Sequence, residues 1–354
     1  MKILVIQQKM IGDVLVSSLI CENLKLNYPN AEIHYLVNRF TIPVIENNPY
    51  INKVVVFEDE YRSSKLAFYK FLKNIRRAKY DIVIDAYGKL ESNLISLFSG
   101  AKTKVSWKKK YTKFIYSHTI DISKTPKTRS GLAIDNRLKL LSPLNLKSVL
   151  RSKPKIYLSE SEIERAKSKL EKFNLDLSRP LYMIGVLGSD ILKTYPSEFM
   201  VQILDHIVDY SNAQLIFNYI PYQKQEVLKI YNLCQDKTKE NIYLGISGDS
   251  IREFISITSH CDALIGNEGG AVNMAKAIDI PTFTIFSPWI DKETWSSFED
   301  GKKNVSIHLD EIIPSYFEVK RYKDLKPKSL ELYKKLEPKF VIHKLNSFID
   351  HINH

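Results

Sequence analysis

The stretch KILVIQQKMIGDVLVSSLICENLKLNYPNAEIHYLV, residues 2–37, decides the fold. It begins with KILVIQ, a nearly unbroken apolar run that suits a strand covered on both faces. The turn QKMIGD follows, then a segment over residues 14–26 whose apolar residues recur at helical spacing and stop before Tyr28-Pro29. AEIHYLV, residues 31–37, reads as a second strand. Strand, helix and strand in so short a span form a βαβ unit, whose two strands run parallel.

The alternation continues outward. KVVVF (53–57) and YDIVIDAY (80–87) are further strands, separated by a basic helix over residues 65–78. A lysine-rich segment, a turn-rich stretch at 125–131 and a short helix lead to SPLNLKSVLRSKPKIYL, where a domain boundary is expected. Beyond it, SESEIERAKSKLEKF opens with a capping box at Ser159 and Glu162. A second series follows: LYMIGVL (181–187), AQLIFNY (213–219), NIYLG (241–245), DALIG (262–266) and TFTIF (282–286) as strands, with helices near 197–210, 223–234, 250–259 and 271–277. The fold class is α/β, with a doubly wound parallel sheet in each half. The expected domains are residues 1–150, 151–328 and a helical tail, 329–354, packing back across the domain junction.

With 354 residues, two cores are the natural expectation. No apolar run approaches the roughly twenty residues that cross a bilayer, and the first residues read as a strand rather than a signal peptide. A cytoplasmic protein is expected. Cys21, Cys234 and Cys261 are odd in number and lack ligand spacing, so they read as buried thiols. The net charge of +12 is unevenly spread: residues 1–150 hold 25 Lys/Arg against 12 Asp/Glu, and the remainder 27 against 28. KTKVSWKKKYTK, residues 102–113, carries six lysines and no acid. It suits an anionic partner, such as a phosphorylated glycolipid, a membrane surface or nucleic acid, or is a solvated loop.

In open α/β sheets ligands bind beyond the carboxyl ends of the strands. Gly12-Asp13 stands there at the start of the first helix, and Asp13 reads either as a general base or as a plain N-cap. In ALIGNEGGAVNMAKAIDIPTFTIFSPW, residues 263–289, a glycine pair, Gly269-Gly270, opens a helix whose free amides suit a diphosphate, with Glu268 placed to hold a sugar. The same pair also serves a simple tight turn. Lys193, in LGSDILKTYP, supplies a cation beside the first strand of the second half, or is a solvent lysine. No G-x-G-x-x-G follows the first strand, and neither G-x-x-x-x-G-K-[ST] nor Asp-x-Asp occurs. Dinucleotide oxidation, ATP hydrolysis and metal-dependent sugar transfer lose ground, and no metal site or cofactor is expected.

Three segments together resemble glycosyltransferase family 9, the ADP-heptose:lipopolysaccharide heptosyltransferases: residues 2–37, LGSDILKTYPSEFMVQIL (187–204) and IGNEGGAVNMAKAIDIPTFTIFSPW (265–289). The resemblance implies a GT-B fold of two facing Rossmann-like domains, the first for acceptor and the second for nucleotide-sugar, and an inverting, metal-independent displacement. It implies Asp13 as general base, Lys193 and Ser189 on the leaving phosphates, and Glu268, Gly269 and Gly270 on the sugar and diphosphate. Gln223 falls near the family's ribose contact and Leu244 near its adenine contact. Many relatives have His where Asn273 stands, and Asp, a hydroxyl residue and Gly where this chain has Glu268-Gly269-Gly270. The implied donor is ADP-L-glycero-D-manno-heptose and the acceptor an anionic lipopolysaccharide core, approached through Gly12, Lys102, Lys104, Lys108, Lys109, Lys110 and Lys113. Peripheral contact with the cytoplasmic face of the inner membrane would use these lysines, with Trp107, Tyr111 and Phe114 dipping into the interface. Another nucleotide-sugar, a non-catalytic sugar-nucleotide binder and a nucleic-acid-binding protein are the alternatives; nucleic acid is not the expected partner.

Overall fold

The computed structural model describes residues 1–125, 128, 130–176, 178–318 and 321–353. Two compact units divide the chain, Met1–Tyr157 and Leu158–His354. In the first, β1 (Lys2–Ile6), β2 (Glu32–Asn38), β3 (Lys53–Phe57), β4 (Ile82–Asp85), β5 (Thr103–Trp107) and β6 (His118–Ile120) form one sheet in the order β3-β2-β1-β4-β5-β6. Every pairing is parallel, with Ile3 opposite Ile33 on one side and Ile82 on the other. The helices are α1 (Ile11–Asn27), α2 (Glu60–Ser63), α3 (Lys65–Arg77), α4 (Leu90–Ser99) and α5 (Leu132–Lys139). Ile3, Leu4, Val5 and Ile6 are wholly buried, as a strand between two helical layers requires. Each such side chain contributes about 1.5–3 kcal/mol of burial. Ser64 caps α3 by accepting from the Ala67 amide. Gly100, with φ at +68°, ends α4 in the left-handed conformation.

The second unit repeats the plan. Its strands β7 (Leu181–Gly185), β8 (Gln214–Phe217), β9 (Ala263–Asn267), β10 (Thr282–Ile285) and β11 (Asn304–Ile307) lie in the order β11-β10-β9-β7-β8, all parallel. Around them run α6 (Glu160–Glu171), α7 (Ser197–Ser211), α8 (Lys224–Leu233), α9 (Asp236–Glu240), α10 (Ile251–Thr258), α11 (Gly270–Ala277), α12 (Lys292–Trp295), α13 (Pro314–Glu318), α14 (Ser329–Tyr333) and α15 (Pro338–Ile352). The tail segment makes two helices, and α15 packs on α7, β10 and β11, with the Phe348 ring 5.7 Å from that of Phe283.

One expectation is corrected. NIYLG is no strand: Ile242 makes a single parallel bridge to Leu215, and the chain turns as the Ile246 amide reaches the Tyr243 carbonyl. At Gly245 the backbone lies so close to Phe173 that a side chain would meet the ring at 2.6 Å. The bridge stands where the third strand of the first unit's order would be. The lysine-rich segment, conversely, is not all loop, because Thr103–Trp107 forms β5 with Val105 and Trp107 buried. β6 and β11 are strands that the sequence reading does not contain.

Cys21, Cys234 and Cys261 are buried free thiols, and burial pushes Cys234 up to about 12. Among the described residues no helix is long and apolar enough to cross a membrane.

Candidate active site

In the first unit, connections diverge to opposite sides between β1 and β4, and this switch point is where a doubly wound sheet opens for a ligand. Asp13 lies beside it, in the first turn of α1. It is not the N-cap, which is Met10; its Oδ2 accepts from the Met10 amide at 3.4 Å. Its Oδ1 lies 2.5 Å from Nη2 of Arg137, carried by α5. Arg137 also donates from Nε to Ser17 Oγ at 3.0 Å, and its guanidinium stands 5.9 Å from the Trp107 ring. The pair leaves Asp13 partly accessible, its side chain 22% exposed. Gly12 is buried within the helix start.

A second carboxylate, Asp85, ends β4. It is fully buried and accepts from the Tyr87 and Gly88 amides at 2.9 and 2.8 Å and from the Tyr116 hydroxyl at 2.6 Å. Burial outweighs those bonds and pushes its carboxyl above the usual range. The Trp107 indole donates to the Ala86 carbonyl at 2.9 Å. Trp107 is therefore a buried support of this edge, and the expectation that it dips into a membrane is corrected.

The candidate acceptor lysines fall in different places. Lys108 pairs with Asp121 at 3.2 Å, and Lys109 donates to the Gly88 carbonyl at 2.5 Å. Lys110 and Lys113 are exposed, without an ion pair among the described residues, near the exposed Tyr111 and Phe114. Lys104 is a β5 residue whose amide donates to Ser117 Oγ. Lys102 precedes β5, at the edge of the sheet opposite Asp13, so the structure does not bring it to the others.

In the second unit, the segment after β7 is fastened by convergent bonds. The Leu192 carbonyl accepts from Ser287 Oγ and Ser329 Oγ at 2.7 Å each and from Trp289 Nε1 at 3.1 Å. Gly188 packs so tightly that a side chain would fall 2.2 Å from the Lys193 carbonyl. These contacts fix Lys193, whose Nζ lies 2.9 Å from Oε1 of the nearly buried Glu268. Lys193 and Lys326 both stand over the Trp289 ring, at 5.4 and 4.7 Å. Lys193 and Glu268 cancel in charge, and Lys326 supplies the surplus.

Glu268 and Gly269 join β9 to α11, and no atom lies within 4 Å of where a side chain on Gly269 would project. That open space beside a helix start admits a ligand to free backbone amides. Asn273 donates from Nδ2 to the Gly269 carbonyl at 3.2 Å, bracing the turn. Gln223 donates to the Gly188 carbonyl at 2.9 Å, so it touches the same loop. Ser189 is exposed on that loop, whereas Leu244 is half-buried and packs against the core of this unit.

Sequence reading missed Arg137, Lys326 and Asn267. Asn267, buried at the end of β9, accepts from the Tyr195 amide at 2.7 Å and donates to the Gly185 and Val186 carbonyls at 2.9 and 3.1 Å. Its place directly before Glu268 was the available signal.

The family model described as glycosyltransferase family 9 (heptosyltransferase) matches residues 68–328. Lipopolysaccharide heptosyltransferase 1 of Campylobacter coli is 25% identical over 302 residues, covering 81% of this chain and 84% of the relative. The solved structure of Escherichia coli ADP-heptose lps heptosyltransferase II superposes with a TM-score of 0.72 at 16% identity, covering 100% of both chains. That of Escherichia coli heptosyltransferase WaaC with ADP-2-deoxy-2-fluoro heptose gives 0.65 at 15%, covering 87% of this chain and 93% of the other. The structural likeness establishes the α/β fold of the GT-B heptosyltransferases, and the family match spans most of the chain. With its two doubly wound units, this chain belongs to glycosyltransferase family 9, the heptosyltransferase family of glycosyltransferases.

Proposed function

We propose that the protein transfers heptose from ADP-L-glycero-D-manno-heptose to a lipopolysaccharide core acceptor, with inversion and without a metal. The observation that carries the donor half is the Lys193–Glu268 pair beside the open Gly269 turn, with Lys326 adding positive charge. Two fold relatives, an ADP-heptose heptosyltransferase and one solved with a fluorinated ADP-heptose, support the choice of donor.

In the proposed reaction an Asp13 carboxylate oxygen takes the proton from an acceptor hydroxyl. The hydroxyl oxygen then forms the new bond to the anomeric carbon from the face opposite the diphosphate. The bond from that carbon to the β-phosphate oxygen breaks, its electrons remain on the phosphate, and ADP departs. Lys193, Lys326 and the amides at the start of α11 neutralise the charge that develops there. Arg137 orients Asp13, holding its Oδ1 at 2.5 Å while its own Nε is fastened to Ser17 Oγ.

The acceptor is an anionic glycolipid, in keeping with the basic excess of residues 1–150. Peripheral contact with the cytoplasmic face of the inner membrane would draw on the exposed Lys110, Tyr111, Lys113 and Phe114. The test is product analysis with ADP-heptose and a lipopolysaccharide core acceptor, for wild type and Asp13→Ala. Wild type transfers sugar, while the variant keeps its affinity for ADP and loses turnover by at least a hundredfold. Full activity in Asp13→Ala removes Asp13 as the base.

The Glu268-Gly269-Gly270 turn, braced by Asn273, favours a second reading in which the transferase accepts another nucleotide-sugar. A donor screen separates the two. ADP binding without sugar release from any donor would identify a non-catalytic binder.

A further inference from the structure

At the amino edge of the first sheet, opposite the Asp13 cluster, a groove of about 730 Å³ opens between the ends of α3 and α4 and the starts of β4 and β5. Four cations line it: Arg76, Arg77, Lys79 and Lys102. All are exposed, and among the described residues none makes an ion pair. The single acid in the lining, Asp81, is already engaged, accepting from the Lys2 amide at 2.7 Å. We propose that this groove is a second anion site, taking phosphate groups, and that it is independent of the sugar-transfer chemistry.

Like charges gathered in one groove repel and cost stability unless something compensates them. Part of the compensation is internal, because α3 and α4 both end here and present the negative ends of their dipoles. That accounts for Arg76 and Arg77 in the last turn of α3. It does not account for Lys79 and Lys102, which lie beyond the helices. Nor does it explain residues 65–79, which hold six Lys/Arg and no Asp or Glu.

The groove is also shaped around one guanidinium. A side chain on Gly100 would fall 1.4 Å from Arg76 Nη1, so Arg76 occupies the space that glycine leaves free. Arginine forks beside flexible lysines match the multiple oxygens and charge of a phosphate ester better than a lone carboxylate. Leu97 and Phe98, which directly precede the lining residues Ser99 and Gly100 in the last turn of α4, are 42% and 40% exposed. A phosphate borne by a lipid would meet both the cations and these apolar side chains, whereas a free phosphate would meet the cations alone.

The full chain and its Arg77→Gln/Lys79→Gln variant are compared in two arms. One is co-sedimentation with phosphatidylcholine vesicles, with and without phosphatidylglycerol; the other is calorimetry with inorganic pyrophosphate. Wild type should bind the anionic vesicles and the variant roughly thirtyfold less, the loss expected for two basic residues near such a surface. Pyrophosphate binding lost in the variant, with vesicles ignored by both proteins, would assign the same groove to a soluble phosphate. The proposal is overturned if wild type binds neither probe, or if the variant binds as well as wild type. It also fails if only Lys110→Gln/Lys113→Gln releases the vesicles. Matching thermal unfolding of the variants shows that the fold is kept. None of these readouts involves sugar transfer, so failure of the proposed reaction leaves them intact.

Discussion

A single side-chain amide, that of Asn267, ties the ends of β7 and β9 to the loop that carries Lys193, reaching the Tyr195 backbone 72 residues away. Such contacts explain which site residues were legible in the sequence. Lys193, Glu268 and Gly269 announce themselves locally, through glycines and a strand ending beside a helix. Arg137 gives no local sign, since it meets Asp13 across 124 positions and sits in an ordinary short helix. Lys326 is equally silent, because only the folded chain places it over Trp289. The charges near that ring allow an ordered prediction for ADP affinity. Lys326→Ala leaves Lys193 and Glu268 balanced and should raise the Kd about fivefold to tenfold, roughly 1 kcal/mol. Lys193→Ala leaves Glu268 nearly buried without its cation and facing a diphosphate, and should weaken binding more. Adding Glu268→Gln to Lys193→Ala should recover part of the loss. Calorimetry checks the order, and equal affinities in the two single variants would refute this charge account.

Elements were legible where hydrophobic period and length agreed, as in β1, α1 and β9. β5 was hidden because lysines at 102 and 104 mask the alternation that buries Val105 and Trp107. NIYLG carries a strand's residue types, but its neighbourhood supports only a bridge, since Gly245 is pressed onto Phe173. Between elements, the tie of α6 to α10 is electrostatic. Arg252 donates from Nε and Nη2 to the two Glu162 carboxylate oxygens at 2.7 and 2.6 Å, and the Ser159 amide adds a bond at 2.8 Å. The Arg252 bonds, chiefly, hold the Glu162 carboxyl down at about 2, against an ordinary 4.5. A lowered carboxyl stabilises the fold above the ordinary value, and that stabilisation drains away as pH falls from about 4.5 to about 2. Arg252→Met should cost about 1.5–3 kcal/mol near neutral pH and flatten this part of the acid limb. Denaturant unfolding at stepped pH measures both effects, and an unchanged acid limb would count against the pair.

For the whole molecule, the sequence showed two sheets of the same kind and an uneven charge, but not how the tail is used. α15 buries Val341, Leu345, Phe348 and Ile349 on the second unit. Removing residues 338–354 withdraws these four, at about 1.5–3 kcal/mol each. Their sum rivals the roughly 5–15 kcal/mol that holds a domain folded. The shortened chain should lose ADP binding and expose its second unit to protease, while residues 1–157 remain a resistant fragment. Limited proteolysis read by mass spectrometry checks this, and a protected second unit would refute it.

The seating of α15 on β10 and β11 also sets an order of events on the ribosome. The first unit has all its strands once residue 157 has emerged, whereas the second lacks a wall of its core until residue 352 follows. At about 5–20 residues per second the interval lasts roughly 10–40 s. Throughout it the basic unit can stand finished while the second sheet waits with one flank bare. A nascent chain of this protein thus completes its basic unit before the sheet that carries Lys193 and Glu268.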